Sequence, residues 1–200
     1  MPPAVTDECW QSLVAAYGSP SRGYHTLEHI GHVLRWIDRL VAEPSFALEL
    51  AAWMHDVVYD TARSDNEAAS AQWVRERFRP HLPPEVLDRA AELILMTASH
   101  QPAPDDTEAT VLADADLAIL GAPPERYARY VANVRAEFAA LDEATWTAGR
   151  RRVLAAMLAR TPLFHHERLR VREEQARTNM ASELAGLDGP DAHSSEAGSP

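Results

Sequence analysis

Hydrophobic residues recur along this chain at intervals of three and four, and no stretch alternates convincingly. That period belongs to helices with one buried stripe, not to strands. Trp10, Leu13, Val14 and Tyr17 make the first stripe, behind an N-cap expected at Thr6 with Asp7 and Glu8 in the first turn. A second, over about 26–41, carries Leu27, Ile30, Val33, Leu34, Ile37 and Val41. Glu43-Pro44-Ser45 breaks the chain, and Leu48, Leu50, Ala51, Ala52, Trp53 and Met54 read as a core helix. Further helices are expected from Asn66-Glu67 to Pro80, from Pro83 toward His100, and from a Thr107 cap through Leu120. Others are expected over about 125–140 and 143–160, with a last one after Thr161-Pro162 reaching about Leu184. The pattern predicts an all-α, single-domain bundle of about eight helices over residues 1–185. Residues 186–200, rich in Gly, Pro and Ser, have little to bury and are expected to form a disordered tail.

Composition narrows the function classes. With 46% hydrophobic residues among 200, the chain can bury a substantial core. A net charge of −11 without a basic block excludes a nucleic-acid duplex as an expected partner. A small phosphorylated compound stays compatible, because a cation and a few local arginines can outweigh the global charge. The single cysteine, Cys9, rules out an internal disulfide and a cysteine-based zinc cluster. No basic and apolar leader opens the sequence, and no run has the length of a membrane span, so a cytoplasmic protein is expected. A homodimer is allowed.

The candidate chemistry centres on His55-Asp56-Val57-Val58-Tyr59-Asp60, where the apolar run ends in a histidine beside a carboxylate. Burying an unpaired charge is prohibitive, and a metal ion compensates both groups at once. His25, His29 and His32 form a stripe on the second helix, with His29 at the edge of its apolar face and His32 further toward solvent. On the helix after Thr107, Asp116 lies about 40° from Leu112, in the middle of the apolar face, and Asp114 about 200°, on the polar side. Two imidazoles and two carboxylates are a mixed N/O set that suits one divalent ion: Mn²⁺, Mg²⁺, Fe²⁺, Co²⁺ or Zn²⁺.

The ordered motifs extend this set. They are Tyr24-His25-Thr26-Leu27-Glu28-His29-Ile30, Trp53-Met54-His55-Asp56-Val57-Val58-Tyr59-Asp60, and Asp65-Asn66-Glu67 with Ser70. Thr97 with His100, Asp114 through Gly121, Gly149-Arg150 and Ala176-Arg177-Thr178-Asn179 continue them. Together they resemble the HD-domain superfamily of metal-dependent phosphohydrolases, in one bacterial branch of predicted members, over about residues 24–183. The resemblance implies a metal held by His29, His55, Asp56 and Asp116, with His25 and Asp114 as alternatives for the first and last. It implies hydrolysis of a phosphate ester or anhydride, with a nucleotide the expected substrate class. Asp60 or Glu67 would activate the water, His100 would donate to phosphate or to that water, and Arg150, Arg177, Asn66 and Tyr24 would contact substrate. Tyr59 stands where the alarmone-cleaving branch carries Glu, which argues against that activity. An HD-type iron oxygenase is the runner-up, and it needs two irons and additional histidines. A non-catalytic helical module stabilised by its metal is the third reading.

Overall fold

The computed structural model describes residues 7–187 and Gly189, and among the described residues the regular elements are all helices, with no strand. Ten α-helices follow one another: α1 (Asp7–Tyr17), α2 (Leu27–Leu40), α3 (Phe46–Met54), α4 (Asn66–Phe78) and α5 (Pro84–Thr97). They continue with α6 (Thr107–Leu117), α7 (Pro124–Glu137), α8 (Glu143–Leu158), α9 (Glu167–Arg170) and α10 (Glu173–Leu187). Side chains start several of them by accepting an otherwise unpaired backbone N–H. Thr26 caps α2 through Glu28 N, Ser45 caps α3 through Leu48 N, and Asp142 caps α8 through Thr145 N. On α6 the cap is Asp106, one residue before Thr107, which becomes the first helical residue. Asp106 also takes two N–H groups from Arg89 of α5, which fixes this corner.

Helix α6 is the strut of the bundle and packs against α2, α5 and α3. Val111, Leu112, Ala113, Asp114, Ala115 and Leu117 are all buried, so it has almost no polar side. Small residues let its neighbours approach: Ala109, Ala113 and Ala115 on α6 meet a core to which α3 contributes Ala51 and Ala52. The α-helical pattern expected through Leu120 tightens after Leu117 into a 3₁₀ turn, Ala118–Gly121. Asn179 of α10 donates to the carbonyls of Leu120 and Ala122, so the turn is pinned from outside. Gly121 is required there, since a Cβ would come within 2.8 Å of the Arg172 Cβ.

The last expected helix is two. Leu163, Phe164 and Leu169 are fully buried, and one straight helix is replaced by a short α9 and a separate α10 as the chain folds them inward. Helix α10 extends to Leu187, past the expected end near Leu184. The Thr6 cap and all of the expected 186–200 tail beyond Leu187, Gly189 apart, lie outside the described residues.

Candidate metal centre

Three helices converge on one point. Helix α2 presents His29, the C-cap of α3 presents His55 and the next residue is Asp56, and α6 presents Asp116. His29 Nε2 lies 3.2 Å from His55 Nε2, 3.1 Å from Asp116 Oδ1 and 3.5 Å from Asp56 Oδ2. His55 Nε2 lies 3.1 Å from Asp56 Oδ2 and 3.7 Å from Asp116 Oδ1. Nitrogen and oxygen ligands at about 2.0–2.2 Å from one ion stand roughly 3.0–3.5 Å apart, so the spacings of 3.1–3.7 Å among His29, His55 and Asp116 are close to those around a single divalent cation. His29, His55 and Asp116 form the tightest set, and Asp56 joins through Oδ2, which touches both imidazoles.

The tautomers are set by the partners. His55 Nδ1 faces the Ala52 carbonyl at 3.0 Å, and a carbonyl only accepts, so Nδ1 carries the proton and Nε2 turns a lone pair inward. His29 Nδ1 meets the Tyr24 hydroxyl at 3.2 Å, which leaves its Nε2 for the same centre. Two imidazole nitrogens and two carboxylates facing one point form an acceptor surplus that only positive charge relieves. Burial pushes both imidazoles toward neutrality, but the two carboxylates outweigh it and raise His29 and His55 above the ordinary histidine value. Burial pushes Asp56 and Asp116 upward, and His55 with its neighbours holds both well below the usual carboxylate range. A mixed N/O set of this kind accepts Mn, Mg, Fe, Co or Zn as the divalent ion.

The centre is shielded on one side and reachable on the other. The side chains of His29 and His55 are 1% exposed, those of Asp56 and Asp116 15% and 14%. His100 stands on that carboxylate side, its Nε2 2.6 Å from Asp116 Oδ2. Its backbone adopts φ 50°, an unusual conformation for a non-glycine residue. The turn is held by Arg160, which donates to the carbonyls of Ser99 and His100.

The two alternative ligands left by the sequence have other partners. His25 Nδ1 pairs with Glu137 Oε2 at 2.7 Å, and His25 is not in the tightest ligand set. Asp114 is fully buried, not on a polar side, and accepts from the backbone N–H groups of His165 and His166. His32 is likewise buried, because it packs beside Trp36, whose indole N–H donates to its Nε2. Asp60 is not on a helical continuation of α3, which stops at Met54. Its carboxylate accepts from Ala62 N, and Asn66 brackets its backbone by accepting from Asp60 N and donating to Asp60 O. Glu67 sits in the first turn of α4, half-buried.

The two sequence-selected arginines are occupied by protein. Arg150 forks onto Glu183 and reaches the Tyr130 hydroxyl, and Arg177 ties Glu173 to the carbonyls of Leu158 and Arg160. Tyr130 packs on Tyr24, so Arg150 stands behind the centre, separated from it by two aromatic rings.

Sequence reasoning missed the brace that holds the entrance of α2. Glu137, at the end of α7, accepts from the backbone N–H groups of Gly23, Tyr24 and His25 and from the Tyr59 hydroxyl. Burial pushes its carboxyl up, but these donors and His25 bring it down to about 2. Gly23 is required beside it, since a Cβ would overlap the Asn133 carbonyl oxygen. Arg22 is buried too, donating to the carbonyls of His25, Asp56 and Val57, and so ties the α2 entrance to the turn after α3.

Comparison of the chain with family models, with curated proteins and with solved structures gives no match. Among the described residues, no helix is long and apolar enough to cross a membrane.

Proposed function

We propose that this chain is a metal-dependent phosphohydrolase of the HD type, acting on a phosphate ester or anhydride of a small molecule, with a nucleotide the expected class. One observation carries the reading: ligand atoms of His29, His55 and Asp116, from three segments of the chain, lie within 4.8 Å of one another, Asp56 Oδ2 lies 3.1–3.5 Å from both imidazoles, and the two carboxylate side chains are partly exposed. A structural metal would have a closed shell, and the exposure of Asp56 and Asp116 speaks against one. A divalent ion held by these residues would supply Lewis-acid polarisation of the phosphate and activation of water. His29 and His55, their rings oriented by Tyr24 and the Ala52 carbonyl, would hold it, and Asp56 and Asp116 would supply the charge. His100, hydrogen-bonded to Asp116, delivers or accepts a proton at the open face. A cytoplasmic setting fits a substrate of this kind.

The test is a panel of phosphomonoesters, nucleotides and pyrophosphates with Mn²⁺, Mg²⁺ and Co²⁺, run beside Asp56→Ala. Metal-stimulated phosphate release that the substitution abolishes is expected. No release from any compound, or about two irons per chain together with O₂ uptake, overturns the reading.

A further inference from the structure

A cleft of about 160 Å³ opens between the start of α2 and one stripe of α7, and His29 and Tyr24 form its inner wall. Residues 126, 129, 130 and 133 line it at the i, i+3, i+4, i+7 spacing of a single helix face. Two of them are arginines. Arg150, Arg177, Arg22 and Arg89 are all committed to carboxylates or carbonyls, whereas the guanidinium groups of Arg126 and Arg129 have no hydrogen-bond or ion-pair partner among the described residues.

A second observation points the same way. His32 lines the cleft at 7% exposure. An indole N–H can only donate, so Trp36 makes Nε2 the acceptor at 3.0 Å and the ring proton belongs to Nδ1. That Nδ1–H is buried and has no acceptor among the described residues. Buried donors are almost always paired, and an unpaired one beside two unpaired guanidinium groups is a donor set without its acceptor. Burial, then Arg126, pushes the His32 pKa down to about 3, so the ring stays a neutral donor over the working range.

We propose that this cleft is an oxyanion pocket seating one phosphate group of the substrate, held by Arg126 and Arg129, with the unpaired donor of His32 in its wall. Guanidinium forks match phosphate oxygens in pairs, which is why arginine suits such a site. Size sets the class. Sites for whole drug-sized ligands run to roughly 300–1,000 Å³, and this cleft of about 160 Å³ is smaller. Glu28 at the rim reduces the local charge to that of one net cation, which suits a single phosphate and disfavours a polyphosphate chain. The substrate is therefore a monophosphate whose organic part lies outside the cleft. The link to turnover rests on the phosphohydrolase reading, but the binding does not.

Titration calorimetry of the EDTA-treated, metal-free protein with orthophosphate tests this. The wild type is expected to bind, and the Arg126→Gln/Arg129→Gln double variant to bind at least tenfold more weakly at equal helicity by circular dichroism. If the double variant loses helicity, Arg129→Gln alone, at an exposed position, is expected to weaken binding severalfold. Pyrophosphate is expected to bind no tighter than orthophosphate. Unchanged affinity in a folded variant, binding only after metal is added, or tenfold tighter pyrophosphate binding overturns the proposal. If phosphate binds the arginine pocket but no ester is hydrolysed, the enzyme reading falls and the pocket stands.

Discussion

Asp56 and Asp116 differ from Glu137 and Asp114 in what faces their oxygens. Glu137 receives three backbone N–H groups, a tyrosine hydroxyl and a histidine, and Asp114 receives two backbone N–H groups. These donors are part of the fold, so both carboxylates are complete as they stand. Asp56 and Asp116 face the imidazole nitrogens of His29 and His55 across the α2–α3–α6 junction, His55 turning only a lone pair toward them unless it is protonated, and Asp116 has one further partner, His100. A carboxylate answered by backbone donors organises a turn. One that shares its space with inward-turned imidazole lone pairs is a candidate cation ligand. Inside the first class the kind of donor matters: burial pushes Glu137 up, but the His25 hydrogen bond and charge, with backbone N–H groups, bring it down to about 2, while two backbone N–H groups do not offset burial at Asp114, which stays raised.

The largest effect should come from breaking the acceptor-rich pair. Asp116→Asn removes one charge from the centre with almost no change of shape. Metal-dependent phosphate release should fall by more than about a hundredfold. The rise in melting temperature on adding Mn²⁺ should disappear with it, since an ion stabilises a fold only by binding it. A variant that keeps both would place Asp116 in the same class as Asp114.

Breaking the donor-satisfied class should act on stability. Glu137→Ala leaves several buried donors unanswered and should cost about 3–5 kcal/mol by urea unfolding. The pH dependence follows from the lowered pKa. Between about 2 and the ordinary value of 4.5 the unfolded chain binds the proton and the folded one does not. The contribution is therefore complete above 4.5 and lost as pH falls toward 2, and Glu137→Gln should remove that part of the acid slope. Asp114→Asn sets an amide N–H₂ against a backbone N–H and should cost less, about 1–2 kcal/mol, with metal-dependent activity kept.

These contrasts also explain what the sequence could reveal. The all-α architecture was legible because the apolar period of three and four runs the length of the chain, and most helix starts carry a Ser, Thr, Asp or Pro where the structure has one. His29, His55, Asp56 and Asp116 could be grouped because each stands on or beside an apolar face, where a polar side chain demands a partner. The same arithmetic failed for Asp114, because it assumes that a helix has a solvent side and α6 is buried nearly all round. It failed for His32, which Trp36 and the α7 cleft enclose. Glu137 was out of reach, since the backbone groups it holds lie 112–114 residues earlier. Arg126 and Arg129 look in sequence like any surface pair, and only their lack of partners in the structure sets them apart from Arg150 and Arg177.

The smallest expected effect sharpens the comparison at its edge. Asp60 belongs to the motif around His55 and is a natural choice for the base that activates water. Its carboxylate, however, accepts from Ala62 N inside its own loop, and the residue is exposed, with Asn66 fixing the backbone on both sides. That is the donor-satisfied arrangement of Glu137 on a small scale. Asp60→Asn keeps an acceptor for Ala62 N, so hydrolysis should change by less than about twofold and stability by no more than about 0.5 kcal/mol. His100 provides the opposite control, because its ring touches Asp116 and leaves no room for a silent exchange. A loss at Asp60→Asn as large as that at His100→Gln would mean that the 60–66 loop turns inward on binding substrate, and that the base comes from the turn after α3.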